Sequence, residues 1–163
     1  LKNGAASVET DVAEGSATAA ILEASRSADL VIMGTHGRRG PSRWWMGSVA
    51  EHVVRESGTP VLVVRADLGG LTPERVFERP VVVSATGADA AAVRVASGLS
   101  SAFGGQVADQ IATCEADVAS ARHATMMVVS KAAAHGVFVG HGVEHWLRSC
   151  RLPMLFVPAN GIA

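Results

Sequence analysis

Five short apolar runs punctuate the chain, at residues 30–33, 61–64, 81–83, 126–129 and 154–157. They are rich in β-branched residues and do not alternate apolar with polar positions. Strands buried on both faces of a parallel sheet have this signature. Between them lie Ala-rich or amphipathic stretches of helical length, at 16–28, 48–57, 88–103 and 142–150. Strand alternating with helix predicts an α/β layered fold, a parallel sheet with helices on both faces. Residues 66–79, which hold Gly69, Gly70 and Pro73, are the one stretch that reads as a linker.

The pattern also repeats. Laid without gaps over residues 139–159, residues 46–66 coincide at 8 of 21 positions: Gly47/Gly140, Glu51/Glu144, His52/His145, Arg55/Arg148, Pro60/Pro153, Leu62/Leu155, Val64/Val157 and Ala66/Ala159. Upstream, ADLVIMGT from Ala28 matches ATMMVVSK from Ala124 in pattern, and the second copy's intervening loop is three residues shorter. Two copies of one βαβ unit are therefore expected. The first occupies 1–66 and ends a unit that carries a glycine loop. A linker spans 67–79, and a shortened second unit fills 80–163. Strands 61–64 and 154–157 are expected to be sheet edges that pair between copies or chains, because an open apolar edge invites aggregation. That implies an intramolecular pseudo-dimer or a homodimer.

Composition narrows the function. Apolar residues make up 48% of the chain and charged residues 18%, ample material for a core. Net charge is −1, so no basic field concentrates nucleic acid or an anionic membrane. Mean hydropathy is +0.28. The most apolar stretch, 124–140, is interrupted by Lys131 and His135, and falls short of the roughly 20 clean residues of a spanning helix. Cys114 and Cys150 make no disulfide framework or metal knuckle, and no signal-like leader is present. These features read as a soluble protein of the reducing cytoplasm. The chain opens on Leu1 without a strand or helix start, and so reads as the tail of something larger.

The chemistry is concentrated between the first strand and the helix at 48–57. There the sequence runs Gly34-Thr-His-Gly37-Arg-Arg-Gly40-Pro-Ser-Arg-Trp-Trp-Met-Gly47-Ser48. A glycine directly after a buried strand lets a ligand lie against bare backbone, and further glycines allow turns that aim several N–H groups at one anion. The loop ends at a helix amino terminus, which favours a phosphate. Arg38, Arg39 and Arg43 stand nearby. Ser48 with Glu51 also fits an S-x-x-E capping box, which accounts for both residues without a ligand.

Gly34-x2-Gly37-x9-Gly47-Ser48, after ADLVIMG and before SVAEHVVRESGTPVLVV, closely resembles the nucleotide-binding signature of the universal stress protein family, and the match runs from about Val8 to Arg65. The resemblance implies a flavodoxin-like or adenine-nucleotide α-hydrolase-like fold with ATP or AMP, and magnesium, across the carboxyl edge of the sheet. By that likeness Met33 packs near the ribose or adenine. Gly34, His36 and Gly37 line the ribose and phosphate path. Gly47, Ser48 and Val49 present the phosphate-binding amides and hydroxyl. It further implies a dimeric, cytoplasmic regulator of stress survival, with at most slow ATP hydrolysis or autophosphorylation. Some members of the family lack nucleotide.

Two departures limit the likeness. The family's unit begins with a strand ending in aspartate, then a helix and a second strand, upstream of the part matched here. The second copy has such a strand at 79–87, with Thr86 at the aspartate position, but its loop reads Ser130-Lys-Ala-Ala133 where the first has Gly34 and Gly37. Side chains there fill the surface a phosphate needs. The alternative to nucleotide binding is an interaction module that keeps the fold for pairing.

Other constellations are weaker. His141-x-x-Glu144-His145 fits an inverted zinc-peptidase pattern. Glu144 and His145 nevertheless repeat Glu51 and His52, where no zinc motif exists, and no downstream ligand follows. Cys150 ends a predicted helix, where the dipole raises a thiol pKa. Trp44 and Trp45 read as packing or as a dimer or lid surface. No nucleophile–base pair marks an enzyme.

Overall fold

The structure, a computed structural model, describes residues 7–34, 47–64, 72–78, 80–83, 90–107, 111–112, 124–131 and 152–158. Ser16 starts α1 (Ala17–Ser25) by accepting a hydrogen bond from the Ala19 amide at its hydroxyl, 3.4 Å away. β1 (Val31–Gly34) follows, then α2 (Ser48–Glu56) and β2 (Val61–Val64). Pro73 opens the short α3 (Pro73–Val76), a place where its missing N–H costs nothing. β3 (Pro80–Val83), α4 (Ala90–Ala102), β4 (Ile111–Ala112), β5 (Met126–Ser130) and β6 (Met154–Val157) complete the described elements. α3 lies inside the stretch read as linker, and β4 is an addition to the five expected strands. The helix expected at 142–150 falls outside the described residues.

All six strands form one sheet in the order β1-β2-β6-β5-β3-β4. Strands pair in parallel within β1-β2 and within β6-β5-β3-β4, and the two blocks meet where β2 runs antiparallel to β6. The sheet is thus mixed and mostly parallel. The two strands expected at edges pair with each other inside one chain and stand second and third in this sheet.

The register follows the sequence repeat. Val31 faces Val61 and Gly34 faces Val64, while at the equivalent positions Met127 faces Met154 and Ser130 faces Val157. The Val31 amide donates to the Pro60 carbonyl at 2.9 Å, and the Met127 amide donates to the Pro153 carbonyl at 2.9 Å. Across the antiparallel seam Leu62 faces its own counterpart, Leu155, flanked by Val61–Phe156 and Val63–Met154. That register is symmetric about the Leu62–Leu155 pair, as an isologous contact requires.

Helices cover both faces. Val61, Val63, Met127, Val129, Met154 and Phe156 point toward one face and pack with Ala50, Val53 and Val54 of α2 and with Ile21 and Leu22 of α1. Leu62, Met126, Val128, Leu155 and Val157 point toward the other, against Ala92 and Ala96 of α4 and Val76 of α3. Small residues on α4 let its backbone approach the sheet closely. Both faces of β2, β5 and β6 are therefore buried, which is why these strands read as unbroken apolar runs. β1 ends the sheet, and Ile32 on it is 65% exposed.

Candidate functional site

Because β1 and β2 are parallel, α2 must return between them, so its amino end lies at the carboxyl edge of the strands. In open α/β sheets that edge is where ligands bind. Met33 is half-buried and packs on the α1–α2 core, while Gly34 closes β1 exposed. Gly47 is the N-cap of α2, with φ −59° and ψ 152°, and as a glycine it supplies no side-chain cap. Ser48 is exposed in its first turn, and half-buried Val49 anchors that turn to the core.

This corrects the capping-box expectation. The helix begins at Ser48 itself, so the serine hydroxyl sits one position too late to cap. Glu51 instead donates its backbone N–H to the Gly47 carbonyl at 3.0 Å and leaves its carboxylate in the first turn. His52 Nδ1 lies 2.9 Å from the Ser48 carbonyl, an ordinary i,i+4 helix contact. Among the described residues, the amino end of α2 thus presents backbone amides that its own cap residue leaves without a side-chain partner. Met33, Gly34, Gly47, Ser48 and Val49 are gathered around one strand end and one helix end. His36, Gly37, Arg38, Arg39, Arg43, Trp44 and Trp45 lie outside the described residues, as do Cys114, Ala133, His141, Glu144, His145 and Cys150. Among the described residues no group of three His, Cys, Asp or Glu side chains could hold a metal ion.

The second copy ends β5 differently. Ser130, at the position of Gly34, is fully buried. Lys131, next in line, is only 7% exposed, and its ammonium donates to the carbonyls of Ser57 at 2.6 Å and Thr59 at 3.1 Å. Those carbonyls end α2 and lead into β2, so the lysine crosses the seam to the first copy. Burial lowers its pKa to about 8. Around the same turn, the Thr59 hydroxyl donates to the Ser25 carbonyl at 2.6 Å and the Ser57 hydroxyl to the Thr59 carbonyl at 3.1 Å. In the sequence Lys131 reads as an interruption of an apolar stretch and as part of the loop that replaces the glycines. The signal was nonetheless there, since a lone cation inside a buried run must find acceptors.

Residues 1–65 match the model of the universal stress protein family. Over 60 residues the chain is 42% identical to a universal stress protein of Methanocaldococcus jannaschii, covering 36% of this chain and 35% of the relative. It is 44% identical over 45 residues to one of Mycolicibacterium smegmatis, covering 28% and 15%. It is 33% identical over 61 residues to one of Mycobacterium tuberculosis, covering 37% and 21%. The chain thus spans between 15% and 35% of the length of these curated relatives. In fold it is similar to the crystal structure of a universal stress protein from Archaeoglobus fulgidus, with a TM-score of 0.53 and 21% identity, covering 85% of this chain and 64% of that one. No helix among the described residues is long and apolar enough to cross a membrane.

Proposed function

We propose that the chain, whose residues 1–65 match the universal stress protein family model, is a non-catalytic regulator of the stress response that holds an adenine nucleotide, ATP or AMP, at the carboxyl edge of β1. The observation that carries this reading is the amino end of α2. Its cap is a glycine without a side-chain hydrogen bond, and it lies at the strand edge that Gly34 closes. Backbone amides there are donors suited to a phosphate, and the helix dipole favours its charge. In this reading Met33 meets the ribose or adenine, Gly34, His36 and Gly37 line the path, and Gly47, Ser48 and Val49 take the phosphates. Magnesium would accompany ATP on its solvent side. The second copy binds no nucleotide, because Ser130 and Lys131 are built into the protein interior. Slow hydrolysis or autophosphorylation is the most chemistry such a site supplies.

Calorimetry with ATP and magnesium on the wild type and Gly37→Val tests this. Saturable binding lost in Gly37→Val is expected. Binding that survives Gly37→Val but disappears when Ala133 is enlarged would place the site in the other copy and refute the assignment.

One observation favours a second reading, an interaction module of two units paired through the β2–β6 seam. The symmetric register at Leu62 and Leu155 is that of a pseudo-dimer. Absence of ATP and AMP binding in the same titrations, with an intact fold, would leave this reading in place.

A further inference from the structure

We propose that Lys131 is a clasp: its ammonium, carried by the second copy, holds the carboxyl end of α2 and thereby fixes the seat of that helix's amino end. The clasp itself stands on geometry. Lys131 Nζ donates to two main-chain carbonyls, 2.6 and 3.1 Å away, from a side chain 7% exposed. Ser57 is the C-cap of α2, and its carbonyl is among those a helix leaves unsatisfied. A cation there also complements the negative end of the helix dipole. α2 has nine residues, a rod of about 13 Å. One end carries Gly47 and Ser48, and the other is held across the seam. The consequence for phosphate affinity rests on the nucleotide reading above; the clasp does not.

Among the described residues nothing ionisable competes for the ammonium. The turn that receives it is Ser57-Gly58-Thr59, and β5 and β6 carry no charged side chain. At the end of α2, Arg55 and Glu56 are exposed and paired with each other. At the end of α1, which meets this turn through Ser25, Arg26 and Glu23 are likewise exposed and paired. Thus, among the described residues packed around it, Lys131 meets only neutral acceptors.

Three measurements decide it. The Lys131 amine is titrated directly by NMR in the wild-type chain. A midpoint near 8 is expected from burial, and a midpoint of 10.5 with ammonium protons exchanging as fast as those of a solvent-exposed lysine overturns the clasp. Urea midpoints of the wild type and Lys131→Met are then followed from pH 7 to 10.5. Since the folded amine releases its proton at lower pH than the unfolded one, the unfolded chain holds more protons between about 8 and 10.5, and stability rises there. The Met variant should lack this extra rise; equal slopes overturn the proposal. At pH 7 the Met variant should bind ATP with magnesium about fivefold more weakly, and equal affinity removes the link from clasp to amino end. If neither protein binds ATP, the nucleotide reading fails, while the clasp is judged by the two titrations alone.

Discussion

One chemical change, glycine to alanine, should act in opposite directions at two positions seven residues apart. Gly98 lies inside α4, and a methyl built there meets nothing within 4 Å. Replacing it by alanine removes the entropy cost of a helical glycine, and should stabilise the protein by about 0.8–1 kcal/mol. Gly105 follows α4 where the chain docks on the turn after α3. A methyl there would be driven into the Glu78 backbone, 2.6 Å from its carbonyl carbon and 2.8 Å from its Cα. Main chain cannot swing aside as a flexible side chain does. The Glu78 carbonyl oxygen is nearer still, so the segment must move by more than about 1 Å to reach the 3.4–4 Å of ordinary contact. The move breaks the 2.9 Å bond from the Gln106 amide to the Glu78 carbonyl, and disturbs the Phe77–Phe103 stack, whose centroids are 4.9 Å apart. Overpacking costs about 1–3 kcal/mol, the hydrogen bond about 0.5–1.5, and the aromatic pair about 0.5–1.5. Alanine returns about 0.4–1 through the unfolded chain. Gly105→Ala should lose about 2–4 kcal/mol net, a fall of roughly 5–15 °C in Tm for a chain of this size. Equilibrium urea unfolding, monitored by circular dichroism with m-values checked for constancy, separates the two variants. A Gly105→Ala protein as stable as wild type, or both variants moving the same way, would refute the packing described at Glu78.

Ser48→Ala should weaken ATP binding by about ten- to a hundredfold if its hydroxyl meets a charged oxygen. Because Gly47 rather than Ser48 caps α2, urea stability should hardly change, and a matching loss of stability would return the serine to a structural role. Phe156→Ala empties a fully buried site on the seam and should cost about 3–5 kcal/mol, read by the same denaturation; a loss under 1 kcal/mol would contradict the seam's burial. Purified protein should carry no stoichiometric zinc by elemental analysis, and His141→Ala should keep its circular dichroism; one tightly held equivalent lost with His141 would revive the metal motif.

The strand runs were legible because burial on two faces leaves an unbroken apolar signature. The helices at α1, α2 and α4 were legible from their length and small-residue faces. The pairing of β2 with β6 was foreseen from their exposed-edge hazard, and its antiparallel sense follows from the symmetry of the repeat about Leu62 and Leu155. α3 was hidden because four residues opened by a proline look like any turn. β4, with two residues, carries no period at all. The helix start at Ser48 was legible; which residue caps it was not, since Ser48 and Gly47 are both good caps in sequence and only the backbone distinguishes them. Gly34 and Gly47 stand where the sequence put them, at a strand end and just before a helix. That Lys131 needs acceptors was legible from its lone charge in a buried run, but which acceptors was not, because they are main-chain carbonyls more than seventy residues away, which leave no mark on side-chain pattern.

The seam also has a bearing on how the chain reaches its native state. β1 finds β2 across a separation of about 30 residues, and β5 finds β6 across about 27, whereas Val61 must find Phe156 about 95 residues along. Closing the longer loop costs more chain entropy, though only slowly more with length, and such distant pairings slow folding. Each half can therefore zip its parallel strands before the halves meet. Until they do, β2 and β6 each expose an apolar strand edge of matching register. Two molecules caught at that moment can pair β2 of one with β6 of the other, because each edge fits the other chain as well as its own. Domain-swapped dimers formed at high concentration during refolding, and dissolving only on full unfolding, are the by-product such a seam carries.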